Sequence, residues 1–330
     1  MKTRTAKATL CLFAASLIWG VSFVAQVVGM DYVKPFTFNG ISFLIGAASL
    51  LPVLALSSRG AKRGCQKGQA PAALHVHVSR RDRPLLASAG ANERTSRWTQ
   101  WKPLLPYGAI LGAILFCAAN LQQFGVEGTG SAGKSGFITG LYIIIVPIFG
   151  IFLKRPAGLF IWFGAALAVI GLYLLSVPPG GLGGMGRGDA LLFAGAFFWA
   201  LHILTIDRFV AHADPLKLSF LQFLFCGGFC LIAAIVTGEP ITAAALSGAA
   251  FPLLFRGIAS VGVAYTLQTV GQRDVAPAKA SVIFSLESVF AALGGAVLIH
   301  EIMSGRSYLG CALIFAGILL SQIPRKSPVK

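Results

Sequence analysis

The stretch Ala276–Glu301, APAKASVIFSLESVFAALGGAVLIHE, indicates what kind of protein this is. From Ala280 to Ile299 it runs for about 20 residues that are apolar or small, with a single charge at Glu287. A helix of that length crosses a hydrocarbon core of about 30 Å. A charged side chain near the centre of such a helix costs about 2.5–3.5 kcal/mol on insertion scales, so Glu287 needs a partner, a proton or water.

The residues around Glu287 indicate that this helix faces the inside of the protein. Ala291 and Gly294 lie four and seven residues further on, and their small side chains allow another helix or a cavity to approach the backbone. Ser285 belongs to a neighbouring stripe of hydroxyl groups. We therefore expect this helix to form the inner wall of a solute pathway.

The composition excludes an ordinary soluble domain. Hydrophobic residues make up 56% of the chain, charged residues only 12%, and the mean hydropathy is +0.77. A net charge of +16 indicates nucleic acid in a soluble protein, but here the basic residues lie in loops between apolar runs, so we expect no nucleic-acid partner. The six cysteines show neither metal-ligand spacing nor a disulfide pattern, and we expect no metal and no cofactor.

Apolar runs separated by short Gly- or Pro-containing turns predict an all-α polytopic membrane protein with ten transmembrane helices. The predicted spans are 8–29, 35–56, 103–123, 134–153, 158–177, 188–206, 215–237, 248–270, 279–299 and 305–323. A long basic loop at 57–101 separates the second and third spans.

The distribution of Lys and Arg predicts the orientation. With the N-terminus inside, the inner segments carry 22 of the 27 basic residues. The outer side keeps five, namely Lys34, Lys134, Arg187, Arg256 and Arg306. Without the long loop the balance is still 12 against five, so we expect both termini in the cytoplasm and the protein in the cell (inner or plasma) membrane.

Internal repetition divides the chain into two five-helix halves, 1–177 and 178–330, with the loop 57–101 inserted in the first. The motif Leu-Phe-Ala-x-x-x-x-Trp occurs at 12–19 and 192–199, an offset of 180. Beyond the inserted loop the offset falls to 145 or 146, as shown by Lys134 with Lys279, Gly164 with Gly310, and Gly171 with Gly317. Five spans per half is an odd number, so the halves enter the membrane from opposite sides, an architecture that places a central cavity between them.

Several segments carry a resemblance to a known family. Ala264–Gln272, Ala276–Leu293 and the closing His300-Glu301 resemble the second repeat of EamA-type drug/metabolite transporters, and Leu17–Phe23 and Gly136–Phe149 resemble the first. The resemblance implies ten helices around a cavity at the repeat interface and the carriage of small metabolites. Ser288 stands where the family usually has proline, which removes the usual cause of a kink in the ninth span.

Glu287 is the first candidate for the solute or proton pathway. In a functional interpretation it binds a proton or a cationic group of the solute; in a structural one it packs against a neighbouring helix through hydrogen bonds. Tyr142 occupies the corresponding position of the first half, at the offset of 145, and Thr139 lies on the same helical face. Pro147, further along that span, predicts a helix kink.

The remaining candidates are polar or aromatic residues within spans, each of which could equally hold helices together: Trp19, Asn39, Asn120, Trp199, Gln268 and Ser285.

One motif points to a different class of protein. Gly128–Ser135, GTGSAGKS, matches the phosphate-binding loop G-x-x-x-x-G-K-[ST]. That loop needs a buried strand before it and a soluble helix after it, whereas membrane spans flank this segment. We therefore expect no nucleotide site.

Together these features predict a secondary transporter and not an enzyme. We expect alternating access for a small metabolite or drug-like solute, driven by protons through Glu287 or by downhill exchange, in a monomer or homodimer that also contacts membrane lipid. Export is favoured on the family resemblance alone. A lipid or lipid-carrier flippase of the same fold remains the alternative.

Overall fold

A computed structural model describes residues 2–66, 101–129, 132–154, 157–177, 181, 186–298 and 304–323. Helices make up almost all of these residues, and no strand occurs among them. Most of the loop 57–101 lies outside the described part, although the helix of the second predicted span continues to Gln66, beyond its expected end at residue 56.

The described helices follow one another along the chain with short connections. They are α1 (Lys2–Met30), α2 (Pro35–Gln66), α3 (Leu105–Thr129), α4 (Ala132–Gly140), α5 (Tyr142–Phe152), α6 (Leu159–Ser176), α7 (Arg187–Val210), α8 (Pro215–Val236), α9 (Ala243–Gly248), α10 (Ala250–Leu254), a π-helix (Phe255–Tyr265), α11 (Thr266–Gln272), α12 (Pro277–Phe284), α13 (Leu286–Leu298) and α14 (Gly305–Ser321).

Seven helical segments of the described chain are long and apolar enough to cross a membrane, as expected of a polytopic membrane protein. They are Arg4–Met30, Pro35–Ser57, Lys102–Thr129, Ser135–Phe152, Arg187–Val210, Pro215–Val236 and Ala250–Gln272. Two shorter apolar helices, Leu159–Leu175 and Gly305–Ser321, occupy the predicted fifth and tenth spans. The predicted ninth span is divided between α12 and α13.

Two predicted spans are interrupted near their middle. The fourth breaks at Leu141, where the Ile144 amide donates to the Leu141 carbonyl oxygen at 3.1 Å, and the ninth breaks at Ser285, where the Ser288 amide donates to the Ser285 carbonyl oxygen at 3.3 Å. The break at Leu141 lies six residues before Pro147, and α5 continues through the proline. The interruption therefore does not coincide with the predicted kink, and the ninth span breaks without a proline.

Helices α6 and α14 pack against each other through glycines. A Cβ atom added at Gly164 would lie 2.5 Å from the Gly317 carbonyl oxygen, and one added at Gly171 would lie 2.6 Å from the Gly310 carbonyl oxygen. Because Gly164 pairs with the later glycine of α14 and Gly171 with the earlier one, the two helices run antiparallel. The predicted role of these glycines in helix contacts is confirmed.

The surface and the interior divide as expected for a protein in lipid. Large apolar side chains point outwards, such as Phe152 and Val236, each 79% exposed. Many polar side chains are buried instead, among them Asn39, Gln123 and Ser281, each fully inaccessible. Since lipid offers no hydrogen bonds, polar side chains in such a fold are placed between helices or around a cavity.

Candidate functional site

A central cavity lies between the helices of the two predicted halves and contains about 480 Å³ of space not occupied by protein atoms. Its walls come from α1, α3, α4, α5, α7, the π-helix, α11, α12 and α13. The lining side chains are Trp19, Phe23, Gln26, Gln122, Thr139, Tyr142, Trp199, Ile203, Arg256, Ser260, Tyr265, Gln268, Phe284 and Glu287.

Most of the residues singled out in the sequence line this cavity. They are Trp19, Thr139, Tyr142, Trp199, Gln268 and Glu287. Asn39, Asn120 and Ser285 are buried but do not line it. The Ser285 hydroxyl donates to the Val282 carbonyl oxygen at 2.7 Å, so it satisfies the backbone at the helix break. The functional roles of all nine remain predictions.

Glu287 and Tyr142 meet inside the cavity. The Tyr142 hydroxyl donates to Glu287 Oε1 at 3.1 Å, and the side chains are 4% and 6% exposed for the tyrosine and the glutamate, respectively. Tyr142 is the first residue of α5 and Glu287 the second of α13, so each begins a half-helix directly after a break. Backbone N–H groups at such a start favour a carboxylate, because the N-terminus of a helix carries partial positive charge.

Arg256 is a residue of the site whose predicted location was wrong. The charge distribution places it among the external basic residues, but the structure buries it at 3% exposure in the wall of the cavity. Removing it from the external count leaves four basic residues outside against 12 inside, so the correction strengthens the charge asymmetry.

The π-helix explains why Arg256 reaches the cavity. In an α-helix, Arg256 and Tyr265 would be about two and a half turns apart and would point in opposite directions. A π-helix has wider turns, with hydrogen bonds from i to i+5. The spacing of four and five residues between Arg256, Ser260 and Tyr265 then puts all three side chains on one face, and all three line the cavity.

A hydrogen-bonded group behind the cavity wall holds the Arg256 side chain. Arg256 Nη2 donates to Asn39 Oδ1 at 2.7 Å, and Asn39 Nδ2 donates to Asn120 Oδ1 at 2.9 Å and to the Ala119 carbonyl oxygen at 3.2 Å. Asn120 Nδ2 in turn donates to the Phe116 carbonyl oxygen at 2.7 Å. Asn39 and Asn120 therefore contact the site through Arg256.

A second polar chain runs along the other side of the cavity. Trp199 Nε1 donates to Gln122 Oε1 at 2.8 Å, and Gln122 Nε2 donates to Gln26 Oε1 at 3.1 Å. These three residues belong to α7, α3 and α1. Amide groups held in this way can exchange partners with a solute without leaving a buried polar atom unpaired.

Aromatic rings form much of the remaining wall. The ring centroid of Trp19 lies 4.8 Å from that of Tyr265 and 5.2 Å from that of Phe284. Trp199 stacks on Tyr265 with centroids 6.0 Å apart. The two tryptophans at matching positions of the repeat thus share Tyr265 as a neighbour, and this wall suits a flat or apolar group.

Within the described residues, no group of three or more His, Cys, Asp or Glu side chains is arranged to hold a metal ion. The segment that resembles a phosphate-binding loop, 128–135, includes positions outside the described residues.

Comparisons with known proteins agree on one family. Residues 6–74 and 186–322, more than half of the chain, match the EamA-like transporter family. The chain is 26% identical over 326 residues to an uncharacterized transporter of Archaeoglobus fulgidus, covering 96% of this chain and 86% of the relative. It is 25% identical over 317 residues to the uncharacterized inner membrane transporter YedA of Escherichia coli K12, covering 94% and 88%.

Two further similarities extend over nearly the full length. The uncharacterized transporter YoaV of Bacillus subtilis 168 is 21% identical over 319 residues, with 96% of both chains covered. A crystal structure with 19% identity superposes with a TM-score of 0.70 over 96% of both chains, which shows that the fold is shared. The apolar helices and the family match lead to the same conclusion: this chain belongs to the EamA-like transporter family and is a multi-pass membrane transporter.

Proposed function

We propose that this transporter is a secondary carrier of ten transmembrane helices, built as two inverted repeats, 1–177 and 178–330, with both termini in the cytoplasm. The shorter helices α6 and α14 and the divided pair α12–α13 supply the three spans beyond the seven long segments. The breaks at Leu141 and Ser285 are 144 residues apart, within one residue of the repeat offset.

The glycine contacts between α6 and α14 support the inverted arrangement. Gly164 and Gly171 correspond in the repeat to Gly310 and Gly317, yet Gly164 contacts Gly317 and Gly171 contacts Gly310. This reciprocal pattern is what a two-fold axis between equivalent helices produces. When equivalent helices run antiparallel, the two halves enter the bilayer from opposite sides.

The observation that carries the proposal is the contact between Tyr142 and Glu287 in the central cavity. It joins equivalent positions of the two halves, where inverted-repeat carriers bind their solutes. A carrier that rocks one half against the other would make and break this contact in each cycle. We infer that Glu287 binds a proton or a cationic group of the solute at this point.

The walls of the cavity suit a small amphipathic or aromatic metabolite or drug-like compound. Trp19, Trp199, Tyr265 and Phe284 offer aromatic surface, and Gln26, Gln122 and Gln268 offer neutral hydrogen-bonding groups. Export is the favoured direction, on the family resemblance alone.

An untargeted metabolite comparison tests the proposal. Cells with and without the protein are grown identically, and small organic solutes are measured inside and outside. The proposal predicts at least one solute whose outside-to-inside ratio rises with the protein and whose transport is reproduced in vesicles containing only the purified protein. Unchanged ratios for every measured solute would contradict it.

One structural feature favours the flippase alternative. A groove between α3, α5 and α7 is lined by apolar side chains such as Ile114, Phe149 and Leu204, and it extends to Arg208 and Lys279. An acyl chain could lie along such a surface with a head group near the basic residues. Fluorescent-lipid scrambling in liposomes separates the two functions, because a flippase accelerates it in a head-group-dependent way and a solute carrier does not.

A further inference from the structure

Arg256 carries a positive charge inside the protein without an acidic partner. An arginine keeps its proton in proteins, and burying such a charge is costly unless it is paired and hydrogen-bonded. Among the described residues no carboxylate lies within the ion-pair distance of 4.0 Å from Arg256. The Glu287 carboxylate lines the same cavity but accepts its hydrogen bond from Tyr142.

The protein satisfies only part of the guanidinium. Of its five N–H donors, one bonds Asn39 Oδ1 at 2.7 Å, and the buried Nε atom has no hydrogen-bond partner. The Phe38 and Phe43 rings lie 5.3 and 6.0 Å from the guanidinium carbon and provide cation–π contacts. Rings stabilise a cation but cannot accept its N–H groups along the plane of the fork, so the group retains unused donors at a cavity wall.

We propose that Arg256 is the anion-binding residue of the solute site and that the transported solute carries a carboxylate. The proposal rests on the carrier function above and specifies its substrate class. A planar guanidinium matches a carboxylate through two parallel N–H···O bonds. A single arginine balances a single negative charge, and the Glu287 carboxylate in the same cavity disfavours solutes with more than one.

Asn39 and Asn120 act as positioning residues for Arg256. Asn39 accepts from the guanidinium through Oδ1, while its Nδ2 group is held by Asn120 and by the Ala119 carbonyl oxygen. This fixes the side-chain amide so that its oxygen, and not its nitrogen, faces Arg256. The π-helix directs the same guanidinium toward the cavity face shared with Tyr265. A carboxylate at Arg256 would thus place the body of the solute beside the aromatic wall.

Ligand-dependent thermal unfolding of the purified full-length protein tests this site. The probes are phenylacetate and indole-3-acetate, each compared with its uncharged amide, phenylacetamide or indole-3-acetamide. A ligand that binds the folded state raises the unfolding midpoint in proportion to its affinity and concentration. We expect both carboxylates to stabilise the wild-type protein more than the amides do.

Two variants of Arg256 and one control complete the test. Arg256→Gln should bind the carboxylates about tenfold more weakly or worse, because charge-assisted bonds are lost, and should bind the amides as the wild type does. Arg256→Lys should retain part of the preference, since it keeps the charge but not the planar fork. Arg187→Gln, at an exposed arginine outside the cavity, should behave as the wild type.

Several results would overturn the proposal. They are equal stabilisation by carboxylates and amides, no stabilisation by either, or an unchanged carboxylate preference in Arg256→Gln. If that variant does not fold, an undiminished preference in Arg256→Lys has the same meaning. The assay measures binding without transport, so a protein that binds carboxylates through Arg256 but changes no metabolite ratio would contradict the carrier function and leave this site standing.

Discussion

The Tyr142 hydroxyl donates to Glu287 Oε1 at 3.1 Å, and these residues stand 145 positions apart, the same interval that separates Lys134 from Lys279. Each begins a half-helix after a break in its span. Neither half of the chain could form this contact alone. The centre of the cavity is therefore a product of the two halves together, and changes there should affect transport more than stability.

Replacing Tyr142 with phenylalanine tests the importance of this contact. The change removes the hydroxyl and leaves the Glu287 carboxyl group without its one side-chain hydrogen bond in the described structure. A hydrogen bond to a charged group contributes about 1.5–3 kcal/mol, so we expect transport into vesicles to fall about tenfold or more at normal expression. Tyr173→Phe, at a partly exposed tyrosine of α6, is the matched control. Equal transport by both variants would remove the contact from the mechanism.

The glycine contact between α6 and α14 should be sensitive to a single methyl group. Gly164→Ala places a Cβ atom 2.5 Å from the Gly317 carbonyl oxygen, so the helices must separate. Overpacking of this kind costs about 1–3 kcal/mol, and we expect a lower thermal unfolding midpoint in detergent.

Gly228→Ala provides the control for that substitution, because nothing lies within 4 Å of a Cβ atom added there in α8. Alanine is favoured over glycine in a helix by about 1 kcal/mol, so this variant should be as stable as the wild type or more stable. A Gly164→Ala protein that also unfolds no earlier than the wild type would show that the helices are not in close contact.

The exposed ion pair between Lys34 and Glu127 should matter little at physiological pH. Lys34 Nζ lies 2.9 Å from Glu127 Oε1, and this hydrogen bond and charge raise the pKa of Lys34 above 10.5. A raised pKa in the folded state stabilises the protein below the unfolded-state value and loses that contribution only as the pH rises through the folded-state value. Because the lysine side chain is 55% exposed, solvent weakens the pair.

Lys34→Gln should therefore shift the unfolding midpoint only slightly, and by the same amount at pH 6 and pH 9. Midpoints measured across that range check this expectation. A destabilisation that grows between these two pH values would mean that the titration of Lys34 lies far lower than this contact implies.

Reporter fusions test the orientation. We expect fusions within the loop 57–101 and at His212, between α7 and α8, to report a cytoplasmic location. Fusions at Glu239, between α8 and α9, should report an external one. Alkaline phosphatase, which is active only outside the cytoplasm, is therefore predicted to be active at Glu239 alone. Activity from the loop 57–101 would reverse the topology.

Much of the site could be predicted because it depends on simple patterns. A carboxylate within an apolar run is costly enough to demand a protein environment, so Glu287 is recognisable from its neighbours. The repeat offset then points to Tyr142. The seven-residue spacing of the matching glycines in α6 and α14 similarly indicates a close helix contact from the sequence alone.

Arg256 could not be found in this way. It lies near the start of its span, where basic residues commonly mark the membrane surface, and α-helical spacing would point it away from Tyr265. Only the π-helix brings the two side chains to one face. No short residue pattern specifies a π-helix, because its wider turns depend on packing against α1 and α2.

The helix breaks were also beyond the sequence. Proline is a strong local signal, and the kink is therefore predicted at Pro147, but the fourth span breaks at Leu141 and the ninth at Ser285. Leucine carries no signal for a helix break, and serine carries only a weak one. Their near-equivalence in the repeat indicates that tertiary packing around the cavity, and not local propensity, selects these positions.

The central claim is that Glu287 couples solute movement to a proton or a cationic charge at the interface of two inverted halves. It is tested most directly by transport into proteoliposomes with wild-type protein and with Glu287→Gln, at several external pH values and with an imposed pH gradient. We predict that the wild type responds to the gradient and that the variant loses most of its transport or all of its response to pH. A Glu287→Gln protein with full activity and an unchanged pH dependence would contradict the account.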